Sequence, residues 1–118
     1  MAKTILVADD SPIIRKMLCE IFEREEDYDL CAQVRDGAEA IALAIKHTPD
    51  LIILDMSMPA MDGIQAAKEL KDLMPEVPII LFTLYAEAIN PDHVAANRIV
   101  SKHQVSSLMD HVRQLLPV

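Results

Sequence analysis

Short apolar runs alternate along the chain with segments whose apolar residues recur at helical spacing. Such alternation is typical of a parallel sheet with helices packed on both of its faces. The predicted strands are residues 5–8, 28–34, 51–54, 79–82 and 99–100. We therefore predict an α/β fold, a doubly wound five-stranded parallel sheet with five helices.

The second predicted strand differs from the others in its pattern. Residues 5–8, 51–54 and 79–82 are continuously apolar, as expected when both faces of a strand are covered. In residues 28–34, apolar side chains alternate with polar ones, so one face of this strand is open to solvent. We expect the strand to lie at an edge of the sheet.

Capping residues mark the start of three helices. Ser11 precedes Pro12, which loses no hydrogen bond at the first helical position, and the residues that follow have helical periodicity. Asp36 and Asp62 each have Glu or Gln three residues later, the spacing of a capping box. A last helix ends before Pro117 and carries the apolar stripe Val105, Leu108, Met109, Val112, Leu115 and Leu116.

Residues 84–97 have the weakest helical pattern in the chain. Asn90 and Pro91 form a helix-starting pair, but they come late in this segment and follow a long loop. We expect a short, mobile fourth helix there.

The composition excludes several classes of protein. A chain of 118 residues has room for one domain, and 52% hydrophobic residues are ordinary for a folded one. The net charge of −8 argues against direct nucleic-acid binding, which needs a positive surface. No apolar run approaches the roughly 20 residues that span a membrane. We expect a cytoplasmic protein in which Cys19 and Cys31 are reduced thiols.

Polar side chains stand at the carboxyl ends of the predicted strands, where the crevice of an open parallel sheet lies. Asp9 and Asp10 end the first strand, Asp55 the third and Thr83 the fourth, and Lys102 follows the fifth. Three carboxylates repel one another unless a cation lies between them, and all-oxygen ligands suit Mg²⁺. The pattern predicts a Mg²⁺ site that receives a phosphoryl group, with Asp55 as a carboxylate nucleophile.

Most of these residues have a simpler interpretation when taken alone. Asp10 can cap a helix, Thr83 can bond to backbone at a strand end, and Lys102 can be a solvated surface charge. Asp55 is harder to explain in this way, because it directly follows a buried run where an uncompensated charge is costly. Their joint placement favours the functional interpretation.

The arrangement resembles a known family. The motif Asp9-Asp10-Ser-Pro, the segment LDMSMPAMDG at 54–63, Thr83 and Lys102 are similar to the receiver domain of bacterial two-component response regulators. The resemblance covers the whole chain. It implies a flavodoxin-like sheet of strand order 2-1-3-4-5 and a single receiver domain at 1–118, with no output domain in this chain.

The resemblance also implies a role for each acidic residue. Asp55 is the expected phosphoacceptor, supplied by a phosphohistidine on a sensor histidine kinase or phosphotransfer protein, and it loses the phosphoryl group slowly by hydrolysis. Asp10, Asp55 and the backbone carbonyl of Ser57 are the expected Mg²⁺ ligands, and Asp9 is expected to reach the ion through water.

Thr83 and Lys102 are expected, by the same resemblance, to contact the phosphoryl group. Their movement would remodel the face formed by the fourth helix, fifth strand and fifth helix, and a downstream effector would respond to that change. The surface around Ala95, Val100 and His111 suits partner docking or a phosphorylation-dependent homodimer.

Three positions depart from the family pattern. Leu84 stands where the family usually has a small residue, and we expect its bulk to restrict access to Asp55. Ile99 replaces a common aromatic switch residue, which argues against aromatic rotamer switching. His103 follows the lysine where proline is common, and we interpret it as an exposed loop residue.

Two other interpretations stay open. A pseudo-receiver has the same fold but is controlled by protein contacts without phosphorylation, and Leu84 and Ile99 favour it. A Mg²⁺-dependent phosphohydrolase also uses an aspartate nucleophile, but in a D-x-D motif after the first strand that Asp9-Asp10 does not match. We expect a signalling switch and not a conventional turnover enzyme.

Overall fold

A computed structural model describes residues 2–118, in which five strands alternate with four α-helices and two short 3₁₀ helices. The strands are β1 (Lys3–Ala8), β2 (Tyr28–Val34), β3 (Leu51–Leu54), β4 (Ile79–Thr83) and β5 (Arg98–Ser101). The α-helices are α1 (Pro12–Glu23), α2 (Gly37–His47), α3 (Gly63–Leu73) and α4 (Val105–Leu115). The 3₁₀ helices are Ala86–Ala88 and Pro91–His93, both between β4 and β5.

The strands form one parallel sheet in the order β2-β1-β3-β4-β5. This arrangement confirms the predicted doubly wound, flavodoxin-like architecture. Strand β2 lies at one edge, as its alternating pattern predicted, and β5 lies at the other. Because β1 and β3 pair in the middle of the sheet, their carboxyl ends lie side by side at its centre.

Each face of the sheet carries its own hydrophobic core, because successive side chains of a strand point to opposite faces. Ile5 and Val7 of β1 pack in one core with residues of α1 and α4. Leu6 and Ala8 pack in the other core with residues of α2 and α3. The central strands are therefore held from both sides.

The predicted helix starts are confirmed. The Ser11 hydroxyl accepts a hydrogen bond from the Ile14 N–H at 3.3 Å, with Pro12 as the first helical residue. The carboxylates of Asp36 and Asp62 each accept a bond of 2.8 Å from the N–H of the residue three positions later. Each of these bonds satisfies an amide that has no partner within its own helix.

The fourth of the five predicted helices, expected within residues 84–97, does not form as an α-helix. Asn97 is held at the sheet: its N–H donates to the Ile79 carbonyl at 2.8 Å, and its side-chain oxygen accepts from the Ile79 N–H at 2.9 Å. A helix that begins at Pro91 must therefore end before Asn97. A helix of that length is too short to be stable. The segment instead forms two 3₁₀ turns.

One part of the predicted docking surface is also wrong. Val100 is 3% exposed and packs in the core beside α1 and α4, because its position in β5 points inward. Ala95 and His111 are partly exposed.

Cys19 and Cys31 are both free thiols. In residues 2–118, no helix is long and apolar enough to cross a membrane.

Candidate functional site

A cleft of about 440 Å³ opens at the centre of the carboxyl edge of the sheet. It lies where the two central strands end, since Asp9 and Asp10 directly follow β1 and Asp55 directly follows β3. The residues that line it are Asp10, Ser11, Ile14, Asp55, Ser57, Leu84, Tyr85 and Lys102. The sequence-predicted convergence of strand ends is therefore present in the fold.

Three carboxylates meet at this cleft. Asp9, Asp10 and Asp55 each offer one oxygen, and these oxygens all lie within 4.8 Å of one another. Asp9 and Asp55 are 2% and 6% exposed, whereas Asp10 faces solvent. A set of hard oxygen donors with one side open to water fits Mg²⁺, which keeps part of its hydration shell when bound by proteins.

Lys102 compensates the charge of two of these carboxylates. Its Nζ lies 2.7 Å from Asp9 Oδ2 and 3.4 Å from Asp55 Oδ1, and its side chain is 8% exposed. Lys102 follows β5 at the edge of the sheet, and its backbone N–H donates to the Thr83 carbonyl at 3.0 Å. The interpretation of Lys102 as a solvated surface charge is therefore wrong.

The environment of Asp55 opposes its ionisation. Burial raises the pKa of this carboxyl above its usual value, and the nearby charge of Asp9 raises it further. The ammonium of Lys102 acts in the opposite direction but does not reverse the shift. The ionised form of a carboxylate held in this way is stabilised by any further positive charge that enters the cleft.

The loop between β3 and α3 is fixed by the only two glycines of the chain. The Gly63 N–H donates to the Met56 carbonyl at 2.8 Å, and the Gly37 N–H donates to the Met61 carbonyl at 3.1 Å. A Cβ at Gly63 would collide with the carbonyl oxygen of Asp55. The helix starts beside these glycines, at Asp36 and Asp62, were predicted from the sequence, but the close packing that the glycines allow was not.

Thr83 is fully buried at the end of β4. Its hydroxyl accepts a hydrogen bond from the Tyr85 N–H at 3.2 Å. The residue does not belong to the lining of the cleft, whereas Ser57 does and is exposed. The predicted contact of Thr83 with a phosphoryl group and the predicted use of the Ser57 carbonyl both stay predictions.

The three departures from the family pattern occupy different environments. Leu84 lines the cleft with 55% of its surface exposed. Ile99 packs against the core beside α2 and α3. His103 is exposed, as expected, and its N–H donates to the Ser101 hydroxyl at 3.1 Å.

Sequence reasoning missed the lining residues Ile14 and Tyr85, and one charged residue beside the site. Arg15, on the second turn of α1, donates from Nη1 to the backbone carbonyl of Asp9 at 2.7 Å. A basic residue in the helix that follows an acidic pair is a weak sequence signal, because many helices carry exposed arginines.

Comparison with a family model matches residues 5–113 to the response regulator receiver domain. Among curated proteins, the chain is 40% identical over 83 residues to a protein-glutamate methylesterase/protein-glutamine glutaminase of Hahella chejuensis, covering 70% of this chain and 21% of that protein. It is 37% identical over 83 residues to the chemotaxis protein CheY of Halobacterium salinarum, covering 70% of this chain and 68% of that protein. The chain thus spans a minor part of the Hahella relative.

Among solved structures, the response regulator protein TrrA of Thermotoga maritima, in complex with Mg(2+)-BeF, superposes with a TM-score of 0.88. Its sequence is 34% identical, and the superposition covers 97% of this chain and 99% of TrrA. A second structure holds TrrA in complex with the histidine kinase ThkA and superposes with a TM-score of 0.85.

Proposed function

The chain belongs to the response regulator receiver domain family, and we propose that it is a phosphorelay switch that accepts a phosphoryl group on Asp55. One observation carries the proposal. The buried Asp55 carboxylate borders an open cleft, within reach of two other carboxylates and the ammonium of Lys102. Placing a nucleophile beside groups that compensate developing negative charge is the main requirement of phosphoryl transfer.

The reaction follows from this arrangement. A carboxylate oxygen of Asp55 attacks the phosphorus of a phosphohistidine, an O–P bond forms, and the P–N bond to the donor imidazole breaks. The imidazole leaves with the electron pair of that bond and takes up a proton. Lys102 donates to the phosphoryl oxygens and offsets their charge, while Thr83 is the proposed hydrogen-bond donor on the β4 side.

The proposal includes a Mg²⁺ site beside Asp55. Asp10, Asp55 and the Ser57 carbonyl would hold Mg²⁺, with Asp9 acting through water. Bound there, the ion would supply positive charge to the phosphoryl oxygens. Asp9 keeps its ion pair with Lys102, which orients the ammonium toward Asp55. The Mg(2+)-BeF complex of TrrA supports the assignment of the metal.

The proposed partners are a sensor histidine kinase or phosphotransfer protein and a downstream effector. The solved complex of TrrA with the histidine kinase ThkA supports the first of these. The responding surface consists of residues 84–97, β5 and α4, since the two 3₁₀ turns stand in place of a helix. A single receiver domain at 1–118, a phosphorylation-dependent homodimer and a cytoplasmic location remain part of the proposal.

Intact-mass analysis after incubation with acetyl phosphate and Mg²⁺ tests the proposal. We expect one labile phosphoryl adduct per chain, absent from Asp55→Asn and from a sample in EDTA. An unmodified chain that still melts at a higher temperature with Mg²⁺ would show that acetyl phosphate does not serve as its donor, and a kinase-bound phosphohistidine is then tried. An unmodified chain with no response to Mg²⁺ supports the pseudo-receiver.

The phosphohydrolase alternative predicts a different result. It requires many turnovers of an external phosphate ester per chain, with inorganic phosphate released in proportion to time. A switch instead consumes phosphodonor only as fast as Asp55 loses its phosphoryl group. Measuring released phosphate against the adduct in one sample distinguishes the two functions.

A further inference from the structure

We propose that Arg15 is a positioning residue that holds the Asp9–Asp10 peptide in place and thereby raises the affinity of the carboxylate cluster for Mg²⁺. The inference rests on the proposed function, because it assigns a role to Arg15 in the metal site described there. Arg15 itself does not reach the cleft lining, so it acts through the backbone.

Asp9 is held at each of its polar groups. Its N–H donates to the Val34 carbonyl at 3.0 Å, and its Oδ1 accepts from the Ser11 N–H at 2.9 Å. Its Oδ2 pairs with Lys102 at 2.7 Å, and its carbonyl accepts from Arg15 Nη1 at 2.7 Å. Within residues 2–118, the bond from Arg15 is the only one that acts on the peptide joining Asp9 to Asp10.

Asp10 has no comparable support of its own. Its side chain is exposed, and within residues 2–118 its carboxylate makes no hydrogen bond or ion pair with protein. The direction of this carboxylate therefore depends on the plane of the Asp9–Asp10 peptide. A bond at 2.7 Å from a guanidinium to the carbonyl of that peptide fixes the plane.

Arginine suits this role because it combines charge with a rigid donor geometry. Residues that orient metal ligands without touching the metal commonly change affinity by about 10–100-fold when they are removed. Arg15 is rooted in α1, whose Leu18 and Phe22 pack in the core, so the donor is anchored to a rigid element.

Arg35 provides a matched control. It borders the same polar hollow as Arg15, a space of about 270 Å³ lined by Arg15, Gln33, Val34, Arg35 and Glu39. Its charge is the same, but its side chain is exposed and does not bond to Asp9. Removing Arg35 therefore measures the effect of losing a nearby positive charge without losing the backbone bond.

The test is calorimetric titration of the full chain with Mg²⁺ alone, comparing the wild type, Arg15→Met and Arg35→Met. We expect Arg15→Met to raise the Kd for Mg²⁺ by about tenfold and Arg35→Met to change it by less than about twofold. The acetyl phosphate reaction gives a second measurement. Arg15→Met should need more Mg²⁺ for half-maximal rate and reach the same rate at saturation.

The outcomes separate the inference from the function on which it rests. Equal Kd values for the two variants, with Mg²⁺ binding intact in the wild type, overturn the role of Arg15 and leave the function standing. Absence of Mg²⁺ binding in the wild type overturns both. If Arg15→Met does not fold, the shorter and uncharged Arg15→Gln is titrated in its place, and a Kd equal to that of the wild type then contradicts the proposal.

Discussion

Asp55 is the residue at which the proposed function and stability oppose each other. Its carboxyl is buried beside Asp9, and its pKa is raised by burial first and by the charge of Asp9 second. A group with a raised pKa in the folded state stabilises the fold when protonated, and that contribution is lost as the pH rises through the folded-state pKa. At neutral pH without a metal, ionised Asp55 therefore costs stability.

Asp55→Asn should accordingly stabilise the protein at neutral pH in EDTA. We expect a gain of about 1 kcal/mol, or a rise of roughly 3–6 °C in Tm for a domain of this size. The gain should shrink as the pH falls and Asp55 becomes protonated in the wild type. Thermal melts of both proteins from neutral to acidic pH provide the measurement.

Mg²⁺ supplies the control for this prediction. The ion should raise the Tm of the wild type more than that of Asp55→Asn, because the variant has lost one of the three carboxylates. A variant that is less stable than the wild type at neutral pH in EDTA would show that the Lys102 contact outweighs the burial of Asp55.

Leu84 tests whether bulk at the mouth of the cleft limits the reaction. It lines the cleft and is 55% exposed, so truncation should widen the entrance with little loss of packing. We expect Leu84→Ala to be phosphorylated by acetyl phosphate about threefold faster, a change of under 1 kcal/mol in the barrier. The initial rate of adduct formation, measured by intact mass, gives the answer.

Leu73 is a suitable control for that experiment. It is 54% exposed and lies at the end of α3, outside the cleft lining. Leu73→Ala should react at the wild-type rate. An unchanged rate in Leu84→Ala would remove the idea that this leucine restricts access.

Among the secondary-structure elements, those set by local chemistry were predictable and those set by distant contacts were not. Strands β2 and β3 have the predicted bounds, and β1, β4 and β5 extend the predicted runs by one or two residues at the ends. The missing fourth helix depends on Asn97, which pairs with Ile79 eighteen residues earlier. No local pattern at 84–97 reveals that pairing.

The same distinction applies to the site. The acidic residues and Lys102 could be predicted because parallel strands bring their carboxyl ends to one edge, whatever the details of packing. The bond from Arg15 to Asp9 and the contact between Gly37 and Met61 could not. They depend on the relative placement of helices, which hydrophobic periodicity leaves open.

The loop between β3 and α3 contains a backbone strain that offers a further prediction. Ala60 has a φ of 66°, in the left-handed region that disfavours residues with a Cβ. Ala60→Gly should relieve this strain and stabilise the protein by about 1 kcal/mol. Thermal unfolding in EDTA measures the effect without any contribution from a metal.

A second alanine shows whether the gain is specific to the backbone of this loop. Ala38 is exposed in the first turn of α2, where glycine should be destabilising by about 0.5–1 kcal/mol. The two substitutions should therefore shift the Tm in opposite directions. A lower Tm for Ala60→Gly would contradict the prediction that the left-handed backbone at Ala60 costs stability.

For the whole molecule, the central position of the site would allow a local charge change to act on distant surfaces. Strands β1 and β3 end at the cleft, and each contributes side chains to both cores. Lys102 connects the cleft to the ends of both β4 and β5. It directly follows β5, its ammonium contacts Asp55, and its N–H donates to the carbonyl of Thr83 at the end of β4. A phosphoryl group that attracts Lys102 would thus act on the β4–β5 edge and residues 84–97.

The most direct test of this account is to locate the phosphoryl group within the chain. Borohydride reduces an aspartyl phosphate to homoserine, so the protein is treated with acetyl phosphate and Mg²⁺, reduced, digested and sequenced by tandem mass spectrometry. We predict homoserine in place of Asp55, with Asp9 and Asp10 unchanged. Homoserine at Asp9 or Asp10, or a phosphoryl group that survives reduction on a histidine such as His103, would contradict the central claim.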